Sequence, residues 1–146
     1  MSREAVTIVY MEESVFTRII KGDIPCHKVY EDQNTIAFMD IHPVLPGHVL
    51  VVPKVQIDHV DDLPADMYAA LFDAVKKVSK SLKKALCAKR AIVLVMGYDV
   101  PHAHIHVMPA NTAREFYEVM SRIDEVTNKE PDHAELAALA EKIRES

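Results

Sequence analysis

From Val29 to Pro53 the chain reads VYEDQNTIAFMDIHPVLPGHVLVVP, three apolar runs separated by polar or proline-bearing breaks. Asp32 to Asn34 interrupt the first pair and Pro43 to Gly47 the second, which predicts an antiparallel meander of strands. After DDLPADM the period changes. Met67, Leu71, Val75, Val78, Leu82 and Leu86 recur at steps of three or four with lysines between them, the signature of one long amphipathic helix, with Asp62 as the expected cap. AIVLVMGYDVPHAHIHVMP then supplies two β-rich runs joined near Gly97 and Asp99. Pro101 belongs at the start of the second strand or on an edge, because it has no N–H to give to a ladder.

Shorter periodic segments flank this body. Val15, Phe16, Ile19 and Ile20 predict a short helix stopped at Lys21 and Gly22. Beyond the last strand two helices are expected, one opened by Thr112 and Glu115 in TARE and one by Asp132 in DHAE; the second carries Leu136, Leu139, Ala140 and Ile143 on one side. The expected class is α+β, with an N-terminal extension over residues 1–13, a main body over 14–110 and a helical extension over 111–146 packed on the same domain. In the first extension Val6, Ile8 and Tyr10 alternate, as in an edge strand, although a disordered or dimer-docking tail fits as well.

Composition narrows the class of function. A chain of 146 residues suits one compact domain, since chains of this size bury roughly two thirds of their unfolded surface. No apolar run approaches the roughly twenty residues that span a bilayer, and MSREAVTIVYMEESVF has no basic start followed by a continuous apolar segment, so a cytoplasmic protein with no membrane partner is expected. A net charge of −5 with scattered lysines argues against a nucleic-acid surface and for small ligands. Cys26 and Cys87 have no C-x-x-C or Cys/His ligand spacing and are expected to be free, buried thiols.

The chemistry is concentrated in GYDVPHAHIHVMP, where His102, His104 and His106 alternate with small and aliphatic residues. On a strand, alternate positions share a face about 7 Å apart, which would line up three imidazoles and turn Ala103, Ile105 and Val107 into the core. A single such histidine is usually a hydrogen-bonded structural residue, but three in register need partners or a task. A metal site is one task, yet a straight row spread over about 13 Å cannot converge on one ion without help, for which His48 and His59 are the available candidates. Phosphate chemistry is the other: one neutral imidazole attacks phosphorus while its neighbours hold oxygens and protonate the leaving group.

HAHIHVM resembles the His-φ-His-φ-His-φ-φ signature of the histidine triad (HIT) family of nucleotide hydrolases and transferases. SVFTRIIKGDIPCHKVYEDQNTIAFMDIHPVLPGHVLVVPK, Ser14 to Lys54, is similar to the family's N-terminal half, so the likeness runs from Ser14 to Pro109. It implies a HIT-like fold with about five antiparallel strands, a long central helix, a short N-terminal helix and added C-terminal helices, in a homodimer. It also implies that His104 attacks the α-phosphate of a nucleotide to give a nucleotidyl-histidine, that the backbone near His102 orients the ring, and that His106 contacts phosphate oxygens. Val15, Phe16, Phe38 and Ile41 would face the nucleoside, and Asp40 would bind the ribose hydroxyls. Core packing is the plain alternative for Phe16, Phe38 and Ile41, as a turn is for Asp40. Asp99 and Val100 fall where the family's phosphate loop would meet the substrate, although the usual asparagine is missing and Tyr98 and Asp99 replace a glutamine and a small hydroxyl residue. Helices beyond Thr112 would close the site instead. His48 matches a zinc ligand of some members, but their paired cysteines correspond to Ser14 and Thr17, so neither a structural metal nor a cofactor is expected. The leading reading is a hydrolase of purine nucleotide substrates, among them phosphoramidates, phosphoanhydrides and dinucleoside polyphosphates; a nucleotide-binding regulatory protein and a metal-dependent protein are the alternatives.

Overall fold

Asp32 builds the first turn. Its Oδ1 accepts from the backbone N–H groups of Asn34 and Thr35 and from the Thr35 hydroxyl, each at 2.8 Å, and its Oδ2 from the Tyr30 hydroxyl at 2.6 Å. Burial opposes its ionisation, but these bonds outweigh it and draw the carboxyl down to about 2. The turn joins β1 (Lys28–Glu31) to β2 (Thr35–Met39), and β3 (Val49–Pro53) completes the predicted meander. In the computed structural model, which describes residues 11–146, β5 (Ile105–Ala110) pairs between β3 and the edge strand β4 (Arg90–Leu94), giving a five-stranded antiparallel sheet in the order β1-β2-β3-β5-β4. The proposed edge strand through Val6, Ile8 and Tyr10 lies outside the described residues.

Both faces of the sheet are covered, which explains why β2 and β3 are buried along their whole length rather than at alternate residues. On one face Ala37, Met39, Val49, Val51, Ile105 and Val107 pack against the long helix α2 (Ala65–Ala85) through Leu71, Val75, Val78 and Leu82. On the other, Ile36, Phe38, Leu50 and Val52 pack against Phe16 of α1 (Val15–Ile20). Helix α1 ends as predicted: Gly22 has φ +84° and the N–H groups of Gly22 and Asp23 close on the carbonyls of Ile19 and Arg18 at 3.0 and 2.9 Å.

Three expectations need correction. Asp62 does not cap α2; it belongs to a 3-10 turn over Val60–Asp62, and Pro64 stands at the helix entrance without a side-chain bond. Three C-terminal helices are present rather than two, α3 (Ala113–Met120), α4 (Ile123–Thr127) and α5 (His133–Arg144), because Arg122, at φ −129° and ψ 30°, leaves helical geometry and breaks the second helical run from the first. The thiols are not both buried. Cys87 takes the left-handed position after α2, with φ 52°, and is exposed there while Ala88 N–H closes on Lys83; Cys26 is half-buried. The Thr112 and Asp132 caps form as expected, each accepting from the N–H three residues on. The last helix buries Leu136, Ala140 and Ile143 in the α2 core.

Gly47 ties the β2–β3 connection to the core directly before His48. It has φ +88°, and a Cβ there would stand 2.5 Å from Leu86 Cδ1 and 2.9 Å from Pro109 Cγ. Gly47→Ala therefore combines a left-handed penalty with overpacking and should destabilise the chain by about 2–4 kcal/mol in urea melts; a loss below about 0.5 kcal/mol would show that this approach is not tight.

Candidate active site

The three histidines do not all lie on the strand. Strand β5 begins at Ile105, so only His106 sits on a ladder, while His102 and His104 lie in the extended segment before it. Pro101 has no N–H, His102 N–H turns back to the Val100 carbonyl at 2.9 Å, and Ala103 N–H bonds Ile57 at 2.7 Å instead of a β3 partner. Ala103, Ile105 and Val107 nevertheless enter the α2 core as expected. The His104 and His106 rings meet edge to face with their centroids 5.1 Å apart.

Hydrogen bonds fix the ring tautomers. His104 Nδ1 is 2.8 Å from the His102 carbonyl, which can only accept, so Nδ1 carries the proton and Nε2 holds the lone pair. His104 is 4% exposed, but it lines a cavity of about 660 Å³, and Nε2 has no protein hydrogen-bond partner among the described residues. Phe16 packs edge-on against this ring at 5.1 Å and against Phe38 at 5.6 Å, holding one wall.

His48, considered in the sequence only as a metal ligand, meets His106 instead; His59, its fellow candidate, is exposed beside Asp58. Val44 N–H donates to His48 Nδ1 at 3.1 Å, so His48 Nε2 carries the proton and donates to His106 Nδ1 at 2.8 Å. Burial, reinforced by the neighbouring imidazoles, pushes both His48 and His106 down to about 4, so both rings are neutral at pH 7. Burial pushes the Asp40 carboxyl up, against a bond from His42 N–H at 2.8 Å. That bond is the turn contact weighed for Asp40, yet its Oδ2 remains 3.6 Å from His48 Nε2 at the cavity edge. Asp40, His48 and His106 thus bring three potential metal-ligand atoms within 4.8 Å, although the two imidazole nitrogens already share a proton.

Val15, Phe16, Phe38, Asp40, Ile41, Asp99 and Val100 all line the same cavity as His104 and His106. His102 does not: it is completely buried behind them. The opposite wall comes from Met120 at the end of α3 and from Ile123, Asp124 and Thr127 of α4, which no local motif marks. Tyr98 points away from the core at 92% exposure. Ser14 and Thr17 meet His102 and Gln56 rather than His48, with Ser14 Oγ 2.6 Å from His102 Nδ1 and Thr17 Oγ1 2.6 Å from Gln56 Oε1. Two hydroxyls and an amide beside one imidazole do not fit zinc, which takes thiolate, imidazole or carboxylate ligands.

Comparison with known proteins agrees with this arrangement. A family profile described as HIT domain matches residues 21–113. A purine nucleoside phosphoramidase of Escherichia coli is 33% identical over 103 residues, covering 66% of this chain and 87% of that one. The adenylylsulfatase HINT3 of Arabidopsis thaliana is 32% identical over 102 residues, covering 66% and 52%. The crystal structure of a Hit-like protein involved in cell-cycle regulation from Bartonella henselae, with an unknown ligand, superposes with a TM-score of 0.77 at 30% identity, over 94% of this chain and 98% of that one.

The neutral pair makes stability depend on pH. The unfolded chain binds protons at His48 and His106 near 6.5, whereas the folded chain binds them only near 4, so between these values the unfolded state holds more protons and stability drops as the pH is lowered. Their contribution is complete above 6.5 and is lost on the way down to 4. Thermal melts between those limits should show a steeper loss for the wild type than for His48→Asn, and parallel profiles would count against a neutral pair.

Proposed function

The chain belongs to the histidine triad (HIT) family, and from that premise we propose that it hydrolyses purine nucleoside phosphoramidates or related phosphoanhydrides and dinucleoside polyphosphates through a nucleotidyl-His104 intermediate. One observation carries the proposal: the Nδ1–H bond of His104 to the His102 carbonyl leaves a basic Nε2 facing the cavity. An adenylylsulfatase and a purine nucleoside phosphoramidase among the relatives support a nucleotide hydrolase.

In the proposed reaction the Nε2 lone pair forms a bond to the α-phosphorus as the bond to the leaving group breaks. The leaving group departs with that electron pair and takes a proton from solvent, while His106, neutral with its Nδ1 accepting from His48, holds phosphate oxygens by hydrogen bonding. Water then attacks the same phosphorus and gives up a proton to solvent, the bond to His104 breaks with its electron pair returning to Nε2, and the nucleoside monophosphate leaves. The Phe16 and Phe38 wall with Val15 and Ile41 suits a purine face, and the free lone pairs of Asp40 suit ribose hydroxyls. Asp99 and Val100 stand beside the phosphates. Residues 14–110 carry the chemistry, and the extension over 111–146 completes the cavity wall.

Nucleotide binding without turnover is the second reading, favoured by one feature: among the described residues the lining includes Asp40, Asp99 and Asp124 but no lysine or arginine to hold a polyphosphate. The reading also includes a cytoplasmic homodimer. A reducing compartment suits the free Cys26 and Cys87, and the edge strand β4 and the residues after it leave Val93, Val95 and Met96 exposed.

His104→Ala should lower nucleoside monophosphate release from adenosine phosphoramidate by at least about 10³-fold with an unchanged circular dichroism spectrum, and acid quenching of the wild type should trap the adduct by mass spectrometry. Retained turnover in the variant refutes the nucleophile, and nucleotide binding with no adduct selects the second reading. Light scattering should give twice the chain mass, reduced to one chain by Val93→Glu; a monomeric wild type would end the dimer proposal.

A further inference from the structure

His102 is the member of the triad that never reaches the cavity, and its surroundings account for every proton around its ring. Nε2 lies 2.8 Å from the Pro53 carbonyl, which only accepts, so Nε2 is the protonated nitrogen and Nδ1 must accept. Two hydroxyls face Nδ1, Ser14 at 2.6 Å and Thr17 at 3.4 Å; the Thr17 hydrogen is directed to Gln56, so Ser14 donates. Ser14 Oγ also accepts from Thr17 N–H at 3.0 Å, so the hydroxyl is oriented by the first turn of α1. Thr17 Oγ1 donates to Gln56 Oε1 at 2.6 Å, the same oxygen accepts Ser14 N–H at 2.9 Å, and Gln56 Nε2 donates to the Glu12 carbonyl at 2.8 Å.

We propose that Ser14, Thr17 and Gln56 are positioning residues for His104, acting by locking the ring and hence the carbonyl of His102. The peptide bearing that carbonyl is held from three sides: the His102 ring by Ser14 and Pro53, its N–H by Val100, and the following N–H of Ala103 by Ile57. A carbonyl fixed in this way fixes the direction of His104 Nδ1–H, and with it the line along which Nε2 meets phosphorus. The linkage depends on the hydrogen that Ser14 gives to Nδ1.

The proposal rests on His104 as the attacking group. Ser14 also caps α1, and three variants separate the two roles. Ser14→Thr keeps the cap and the hydroxyl, Ser14→Asp keeps a cap acceptor but has no hydrogen to donate, and Ser14→Ala has neither. In the full chain Ser14→Ala and Ser14→Asp should lower kcat by about 10- to 100-fold with KM within about twofold, while Ser14→Thr stays within about threefold of wild type, since misplacing a reacting group by about 1 Å costs up to about 10²-fold. Nitrogen-15 NMR should show His102 protonated at Nε2 and His104 at Nδ1 in the wild type, with the His104 proton no longer confined to Nδ1 in Ser14→Asp. Wild-type turnover in Ser14→Asp, or His102 protonated at Nδ1 in the wild type, overturns the proposal. Should the wild type turn nothing over, the nucleophile reading is what fails, and the NMR comparison still decides whether Ser14 controls the His104 ring.

Discussion

The hydrogen bond from His104 Nδ1 to the His102 carbonyl determines which nitrogen of the central imidazole is basic, and the rest of the site is arranged around that choice. The carbonyl is available because the chain at His102 is not yet a strand. Had β5 started there, His102 and His104 would project as neighbours about 7 Å apart and the carbonyl would be directed along the ladder. Instead Pro101 withholds a donor, Ala103 is drawn to Ile57, and the chain enters the sheet only at Ile105. The late start of the strand thus leaves the His104 ring held by its own backbone.

Burial acts on the same rings electrostatically. His48 and His106 are pushed down to about 4, chiefly because an imidazolium is poorly solvated there, and the pair is left as neutral rings sharing one proton. The free site therefore meets its ligand with oriented N–H donors rather than standing cations. Their directions are set before any ligand enters, so no side chain has to reorient to receive one.

Much of this was legible from local pattern. Short apolar runs with Asp32 and Gly47 at their breaks give the meander, period-3.6 spacing gives α2, and Gly22 gives the stop of α1. The side chains of the cavity floor follow because Phe38, Asp40 and His106 belong to or adjoin those elements. What local pattern missed depends on tertiary partners. The late start of β5 reflects Ile57, distant in sequence; the role of His48 reflects the β3–β5 pairing that brings it to His106; and the buried environment of His102 reflects Ser14 and Gln56 arriving from two other segments. The Asp62 cap failed because a 3-10 turn took that residue first.

The two sides of the cavity are built to different standards. On the side of the triad nearly every polar atom has a short, directed partner and Phe16 closes the packing, so displacing one ring disturbs several bonds together. The facing wall hangs from α3, whose Phe116 and Val119 rest on Leu45 and Met108, and neither α3 nor α4 has a fully buried residue. Changing Met120, Ile123, Asp124 or Thr127 therefore alters the cavity with little cost to the core, whereas the chemistry opposite them tolerates little movement. That separation lets one rigid polar side be matched with different cavity shapes through residues that the fold itself does not require.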